Sequence, residues 1–263
     1  GVNRWLASLA LDYQLSDTLK WYATGTYEDS NLKHEPLMLY WSSYEDKRLP
    51  KVRYDYDKIN VKGSYYKART LAAATGFDWE FADKWSVKAT YGYTSKRHHS
   101  NKMFGYLLNA EGDYEGNVYT FAELDQNHFV QAMVQGEFTT GPIRHALVAG
   151  ASYMVNNSYF GANSYWSNDF NGNLYEEQTF TAPRTSDIDF STAGTPFEER
   201  QKALFLSDTL YLGDHVQAVL GVRHTRYKLL DKDGDPTADS GYRTSATSPT
   251  LALIFKPVPY VSL

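Results

Sequence analysis

The sequence predicts an all-β fold, an antiparallel transmembrane β-barrel that is incomplete in this chain and to which the chain contributes about ten strands. Apolar and polar side chains alternate over runs of about ten to twelve residues, close to the roughly 9–11 residues that a tilted strand needs to cross a bilayer. Short turns alternate with long connections, which is typical of outer-membrane barrels. Aromatic rings favour the membrane interface, and Trp5, Trp21, Trp79 and Trp85 lie near predicted strand ends.

The first hairpin shows the pattern clearly. Odd positions from Trp5 to Tyr13 are apolar, whereas the even positions Arg4, Ser8, Asp12 and Gln14 are polar. The alternation resumes at Leu19 after the polar turn 16–18. Because successive strand side chains point to opposite faces, each segment has one apolar and one polar face.

The same unit recurs along the chain. Further short turns are predicted at Ala82–Lys84, Thr139–Pro142, Gly213–His215 and Lys256–Pro259. The long connections are predicted at residues 29–68, 97–127, 155–199 and 228–245, with Tyr54–Val61 and Val118–Leu124 extending strands beyond the membrane. We expect the short turns to face the periplasm and the long connections to face outward.

Composition excludes several classes of protein. The chain has 263 residues, a net charge of −5 and no cysteine, which argues against a dedicated nucleic-acid binder and excludes disulfides and thiolate metal sites. No apolar run reaches the roughly 18 residues of a membrane helix. From the residues alone, a passive porin-like barrel and a soluble β-rich carbohydrate-binding protein stay open as alternatives.

The second half of the chain carries four segments that resemble one family. Residues 138–153 read F-T-T-G-P-I-R-H-A-L-V-A-G-A-S-Y, which resembles a hairpin of TonB-dependent siderophore receptors of the ferrichrome-receptor type. Three weaker matches follow in the family's order, at Glu199–Thr209, Leu220–Tyr227 and Ser248–Pro257. In the first of these, Ala203 and Ser207 replace the glycine and glutamine of the family pattern.

The resemblance implies a barrel of about 22 strands closed by a plug. Residues 1–263 then form one partial outer-membrane barrel domain, with the plug and the terminal strands lying outside it. The implied function is the binding and import of a ferric siderophore across the outer membrane of a Gram-negative bacterium, without enzymatic activity. The implied partners are the ferric siderophore, outer-membrane lipid, and TonB with ExbB and ExbD; the iron arrives chelated, so the chain itself holds no cofactor or metal.

Aromatic residues in the predicted outer loops are the candidate ligand contacts. Bulky chelates with an apolar outer surface suit aromatic walls that carry a few polar groups. The candidates are Tyr40, Trp41, Tyr44, Tyr159, Phe160, Tyr165 and Trp166.

Other polar motifs predict no chemistry. His98 and His99 are interpreted as a pair at a loop tip, and Asp231–Asp235 as a polar turn that lacks the distal glutamate of a calcium loop. Arg144 and His145 sit beside a predicted turn, where we expect them to cap the hairpin.

Overall fold

The computed structural model describes residues 1–41, 44, 48–52, 56–161, 166–184, 197–230 and 241–257. These residues form an 11-stranded sheet and one turn of 3-10 helix at Tyr56–Ile59. The strands are β1 Val2–Ser16, β2 Leu19–Lys33, β3 Met38–Tyr40, β4 Tyr65–Ala82, β5 Trp85–Leu107, β6 Asp113–Thr140, β7 Ile143–Phe160, β8 Trp166–Asn173, β9 Phe197–Leu212, β10 Val216–Leu230 and β11 Arg243–Phe255.

The sheet is an antiparallel meander with the order β1-β2-β4-β5-β6-β7-β9-β10-β11. The short strands β3 and β8 leave this path: β3 pairs with β5 in parallel and β8 pairs with β6. Within the described residues, β1 pairs only with β2 and β11 only with β10, so the sheet is not closed. The predicted all-β, antiparallel architecture is confirmed.

Four of the predicted short turns, those between β1 and β2, β4 and β5, β6 and β7, and β9 and β10, lie at one end of the sheet, as predicted. The turn predicted at Lys256–Pro259 lies outside the described residues beyond Pro257. Backbone hydrogen bonds join neighbouring turns at this end, from Glu80 N–H to the Thr18 carbonyl at 2.8 Å and from Glu137 N–H to the Lys84 carbonyl at 3.2 Å. Gly141 and Gly213 have φ angles of 59° and 78°, a left-handed conformation that glycine adopts without steric cost. We call this edge of the sheet the short-turn end.

Two predictions about the opposite end are wrong. Residues 97–127 are not a long connection, because β5 and β6 pair continuously from Trp85↔Gly136 to Leu107↔Tyr114 and leave only residues 108–112 as a turn. The strand extension predicted at Val118–Leu124 is therefore confirmed as part of β6. The extension predicted at Tyr54–Val61 is wrong where it is described, since it contains the 3-10 turn.

The register sorts the side chains onto two faces. Directly paired residues share a face, and the chain of partners Trp21↔Phe77↔Ala89↔Ala132 runs across β2, β4, β5 and β6. We call the face that carries these residues the outer face and the opposite one the inner face, because transmembrane barrels present apolar side chains to lipid. Strand alternation places the predicted lipid-facing residues on the outer face: Leu9, Trp21, Phe77, Val87, Ala132 and Leu147.

The outer face exposes many large apolar side chains. Leu9, Leu204 and Leu251 are 63%, 65% and 79% exposed. A contiguous apolar surface of this extent is unfavourable in water and marks a surface that contacts lipid or protein. No helix in the described part of the chain has the length and apolar character needed to span a membrane.

Aromatic rings lie over glycines of the neighbouring strand. Gly136 is paired with Trp85, whose ring occupies the space that a β-carbon at Gly136 would fill. In the same way, the ring of Phe170 in β8 covers Gly116 in β6. Such contacts fix strand register, because a shift by one residue would remove the ring from its glycine.

Candidate functional site

The end of the sheet opposite the short turns is dominated by one long hairpin. β5 has 23 residues and β6 has 28, so both extend well past their neighbours. We call residues 98–107 of β5 and 113–123 of β6 the arm. The arm is widened into a small sheet by β3, opposite Phe104–Tyr106, and by β8, opposite Asp113–Tyr119.

Side-chain hydrogen bonds fix the tip of the arm. Asn109 donates from its side-chain amide to the Asp113 carboxylate at 2.8 Å and accepts from the Asp113 backbone N–H at 3.1 Å. Asn173 in β8 donates to the same carboxylate at 2.7 Å. These two amide donors lower the pKa of Asp113, so the carboxylate stays ionised and holds the turn to β8.

One fully buried amide joins the arm to the rest of the sheet. Asn101 accepts from the Tyr65 backbone N–H at 2.7 Å, where β4 begins, and donates to the Gly63 carbonyl at 3.2 Å. Asn101 therefore supplies hydrogen bonds to the Tyr65 N–H and the Gly63 carbonyl at the point where the pairing of β4 with β5 begins. Burial raises the pKa of Tyr65 to about 12.

The outer side of the arm is covered by connecting segments. Val61 and Val118 are completely buried, and the cluster around them brings Leu37, Val61 and residues 170–182 onto the arm. Its members are Leu37, Val61, Met103, Tyr114, Val118, Phe170 and Ala182. Burial of this apolar surface, at about 25 cal/mol per Å², holds the connections in place.

The inner side of the arm carries an open group of aromatic rings, which we call the aromatic wall. Tyr40 in β3 lies 5.6 Å from Phe104 and 5.8 Å from Tyr106 between ring centroids. Phe104 meets Tyr119 edge to face at 4.9 Å, and Tyr119 stacks beside Phe121 at 6.4 Å. These rings are only partly buried, so the wall offers apolar faces to a ligand.

A few polar groups border the aromatic wall. His98 lies on the ring of Tyr66 at 4.2 Å and contacts Glu123 through Nδ1 at 3.2 Å. The Lys102 ammonium lies 4.7 Å from the centre of the Tyr66 ring and 3.8 Å from the Glu35 carboxylate. The wall thus combines aromatic surface with charges of both signs.

Burial controls the ionisation of these groups. Burial raises the pKa of Glu35, although the charge and hydrogen bond of Lys102 act in the opposite direction. Burial also lowers the pKa of His98, although the hydrogen bond and charge of Glu123 act in the opposite direction. His98 also contacts the Ser100 hydroxyl at 2.9 Å through Nε2, but Ser100 is completely buried and so cannot reach a substrate as a nucleophile.

The structure brings some of the predicted ligand contacts to the wall. Tyr40 is part of it. Phe160 is 59% exposed and pairs with Glu123, which places it on the inner face. Trp41 follows directly after Tyr40 and is 62% exposed, while Tyr44 donates its hydroxyl to the Arg48 carbonyl at 2.6 Å.

One further predicted contact, Tyr159, does not join the wall. Tyr159 pairs with Leu124, and alternation places it on the outer face. Trp166 pairs with Tyr119 through its backbone at the start of β8. Tyr165 lies outside the described residues.

Sequence reasoning missed most of the wall itself. Phe104, Tyr106, Tyr119 and Phe121 lie in β5 and β6 rather than in loops. The available signal was the density of aromatic residues between positions 104 and 121.

The other polar motifs are placed as follows. His98 and His99 are not at a loop tip but are consecutive residues of β5, pointing to opposite faces. Asp231–Asp235 lies outside the described residues. In the described part of the chain, no group of three or more histidine or carboxylate side chains is arranged to hold a metal ion.

Arg144 and His145 brace the hairpin between β6 and β7, as expected. The Arg144 guanidinium carbon lies 3.6 Å from the ring centre of Tyr211 in β9, and Nη1 lies 3.3 Å from the Glu137 carboxylate. His145 contacts the Thr140 hydroxyl at 2.6 Å across the turn.

Comparison with known proteins identifies the family. The profile described as TonB dependent receptor-like, beta-barrel, matches residues 26–263. The chain therefore belongs to the TonB-dependent receptor β-barrel family, which is one of transport receptors. No curated protein sequence matches the chain.

Solved siderophore receptors share the fold. BauA, the ferric preacinetobactin receptor of Acinetobacter baumannii, superposes with a TM-score of 0.82 at 21% identity and covers 99% of this chain. PiuA, a siderophore receptor of the same organism, gives 0.67 at 14% identity over 98% of the chain. The ferripyoverdine receptor of the outer membrane of Pseudomonas aeruginosa gives 0.66 at 15% identity over 97%. The chain spans 38%, 40% and 33% of these proteins.

Proposed function

We propose that the complete protein is an outer-membrane receptor that binds a ferric siderophore and imports it in a TonB-dependent manner. The observation that carries this proposal is the family match over residues 26–263, because it defines a class of transport receptors. The similarity to structures named as ferric preacinetobactin and ferripyoverdine receptors supports a siderophore as the ligand class. A passive pore is not favoured, since the family consists of receptors.

The aromatic wall forms part of the ligand surface in this proposal. A ferric siderophore is a bulky chelate whose outer surface combines apolar faces with oxygen atoms. The rings of Tyr40, Phe104 and Tyr119 supply apolar contact, and the Lys102 ammonium supplies a cation for ligand oxygens. Iron is cargo held by the chelate, so the chain needs no metal ligands of its own.

Energy for release comes from partners outside this chain. TonB, with ExbB and ExbD, acts on a plug contributed by another part of the protein. The strands described here supply the barrel wall and the arm that receives the ligand.

Uptake of radioactive iron tests the proposal. The complete receptor is expressed in a Gram-negative strain that lacks its own siderophore receptors and is supplied with hydroxamate, catecholate and mixed ferric chelates. At least one chelate is imported by cells with functional TonB and not by cells without it. The paired substitution Phe104→Ala and Tyr119→Ala lowers its affinity by about tenfold or more, on hot-spot grounds. As a control, Tyr13→Ala removes an exposed ring from the outer face of β1 and leaves uptake unchanged.

Two results would contradict the proposal. Import that is independent of TonB would indicate a passive pore. Absence of import for every chelate, with the receptor folded in the outer membrane, would show that the ligand is not a ferric siderophore.

A further inference from the structure

Two connections meet on the outer side of the arm, which faces away from the aromatic wall. The first leads from β2 to β4 and contains β3, and the second is residues 174–184 after β8. A parallel bridge pairs Lys62 with Thr181, and the Ala182 N–H donates to the Lys62 carbonyl at 2.8 Å. The two connections therefore hold one another, and we call the contact between residues 58–63 and 178–182 the clasp.

The clasp needs a glycine at position 63. The φ angle of Gly63 is 79°, in the left-handed region that favours glycine. A β-carbon at this position would lie 3.1 Å from the carbonyl oxygen of Ala182 in the second connection. A larger residue would therefore strain the backbone of the first connection and push the second connection away.

Gln178 joins the clasp to β6. Its buried side-chain amide donates to the hydroxyl of Tyr114 and accepts from the Phe180 N–H at 2.7 Å. Its backbone N–H donates to the carbonyl of Lys58, which lies in the 3-10 turn of the first connection, at 3.1 Å. Because Tyr114 is itself buried in β6, Gln178 fixes both connections to the paired strands of the arm.

The first connection transmits this restraint to β3. The Leu37 N–H donates to the carbonyl of Ile59, the residue that follows Lys58, at 2.9 Å. The side chains of Leu37 and Leu39 lie over Gly105 of β5, in the space that a β-carbon at Gly105 would fill. The clasp thus holds the start of β3 against the outer side of the arm.

Tyr40 depends on this restraint because β3 is short. β3 has 3 residues and pairs with Phe104–Tyr106 of β5, whereas an ordinary strand has about five or six residues. Tyr40 is the last residue of β3, and alternation places its ring on the side opposite Leu39, 5.6 Å from the ring of Phe104 in the aromatic wall. Since pairing over so few residues contributes little stability, the clasp sets the position of the Tyr40 ring through Leu37 and Leu39.

We propose that Gln178 is a positioning residue for the ligand surface: by closing the clasp it holds β3 on the arm and keeps the Tyr40 ring where a ferric chelate contacts it. Gln178 is buried on the opposite side of the arm, so it acts on the chelate only through Tyr40. The inference rests on the proposed function, since it treats the aromatic wall as the ligand surface. When the clasp opens, the fraction of receptors with Tyr40 at the wall falls, and the apparent affinity falls by the same factor.

Equilibrium binding to the complete receptor tests the proposal in a double-mutant cycle. The probe is the ferric chelate that the parent imports among the hydroxamate, catecholate and mixed chelates of the uptake assay. Gln178→Met keeps the length of the side chain but removes both of its hydrogen bonds, and the affinity falls by about twofold to tenfold. The same substitution in the Tyr40→Ala background causes no further loss, because the ring that Gln178 positions is absent.

Hydrogen exchange gives a second measurement, which needs no chelate. In the free receptor, Gln178→Met weakens the protection of the backbone amides of residues 37–40, whereas the amides in the membrane-spanning parts of β6 and β7 keep the parent protection. This comparison separates the loss of position at β3 from a general loss of stability.

Two further variants test the clasp itself. Gly63→Ala disturbs the clasp by crowding rather than by loss of side-chain hydrogen bonds, and it weakens binding only while the Tyr40 ring is present. It carries the same cycle if Gln178→Met does not fold in the outer membrane. As a matched control, Glu177→Ala removes the exposed side chain next to Gln178 and leaves affinity and protection at the parent level.

Three outcomes would overturn the proposal: parent-like affinity of the folded clasp variants, an equal loss of affinity with and without the Tyr40 ring, or parent-like protection of β3. Iron uptake is measured in parallel. Variants that import and bind the chelate as the parent does overturn this inference and leave the proposed function intact. Absence of import for every chelate contradicts the proposed function, whereas the protection of β3 still tests the action of Gln178 on Tyr40.

Discussion

His145 Nδ1 and a carboxylate oxygen of Asp208 lie 2.6 Å apart across the pair of strands β7 and β9. Because a carboxylate only accepts, the imidazole N–H donates to it, and in the neutral ring the other nitrogen accepts from the Thr140 hydroxyl at 2.6 Å. The ring also stacks on Phe138 at 4.5 Å. One histidine thus ties the turn of one hairpin to the first strand of the next, which gives a physical reason for the Gly-Pro-x-Arg-His pattern.

The contact between His145 and Asp208 predicts that substitutions at these two residues have coupled effects on the free energy of unfolding. His145→Phe keeps a ring against Phe138 but leaves the largely buried Asp208 carboxylate without its donor, so we expect a loss of about 1–3 kcal/mol in the free energy of unfolding. Urea unfolding of the complete protein in bilayers measures it. The double variant with Asp208→Leu is expected to lose less than the sum of the two single variants, and strict additivity would contradict the coupling.

The assignment of the outer face predicts that the stability cost of an arginine on this face depends on its depth in the membrane. Ala89 lies about 17 Å along β5 from Lys84, near the middle of the apolar band, whereas Val87 lies closer to the short-turn end. Ala89→Arg is expected to cost about 2–4 kcal/mol of barrel stability, and Val87→Arg less, because the penalty for arginine falls toward the interface. The control Lys88→Ala removes a half-exposed ion pair with Asp78 at 3.6 Å on the inner face and costs little. Equal losses for all three variants in the same unfolding assay would show that the faces are misassigned.

The buried side-chain amide of Asn101, which joins the arm to the start of β4, predicts that its loss loosens this junction without unfolding the barrel. Asn101→Leu removes the hydrogen bonds to the Tyr65 N–H and to the Gly63 carbonyl, which costs about 0.5–1.5 kcal/mol each. We expect faster proteolysis of the connection before β4, with the thermal unfolding of the barrel little changed. The control Asn109→Ala alters the tip of the arm and leaves that cleavage rate at the parent level. A parent-like rate for Asn101→Leu would show that the amide does not hold the junction.

Neighbouring aromatic residues test which face receives the ligand. Phe160 and Tyr159 are consecutive in β7 but point to the inner and outer faces, respectively. If the inner face of the arm contacts the siderophore, Phe160→Ala weakens binding of the imported ferric chelate by about 1–3 kcal/mol and Tyr159→Ala does not. Equilibrium binding of that chelate to the complete receptor measures both variants. A larger loss for Tyr159→Ala would place the ligand surface on the other side of the arm.

The sequence predicts the membrane-spanning part of the sheet well and the outward part poorly, for a physical reason. From Trp5 to Tyr13 every odd position, on the outer face, is apolar, whereas Ser8 and Asp12 lie on the inner face, so the alternation can be recognised. In the arm, Met103 is buried under connecting segments while the next residue, Phe104, belongs to the aromatic wall. Because apolar residues lie on both faces there, the two-residue alternation of apolar and polar side chains disappears. Consecutive polar residues such as His98 and His99 then look like a loop although they lie in β5. The covering segments depend on contacts far apart in sequence, as between Tyr114 and Gln178, which no local pattern encodes.

The lowered pKa of His98 predicts that the arm loosens in acid. His98 lies about 46 Å along β5 from Lys84, which places it beyond the apolar band. Burial lowers its pKa from the usual 6.5, so the folded arm binds fewer protons than the opened arm, and stability is lost as pH falls below about 6.5. The pKa of His99 is also lowered, by burial and by nearby Arg97, so His99 adds to this loss of stability in acid. Burial raises the pKa of Glu35, so its effect on stability has the opposite sign at pH values around and above its usual pKa of 4.5. Hydrogen exchange of the arm amides in the complete protein, corrected for the intrinsic pH dependence of exchange, is expected to show weaker protection at about pH 5.5 than at about pH 7.5. His98→Gln reduces this difference and the double variant with His99→Gln removes most of it, whereas an unchanged difference in the double variant would show that other groups set the response.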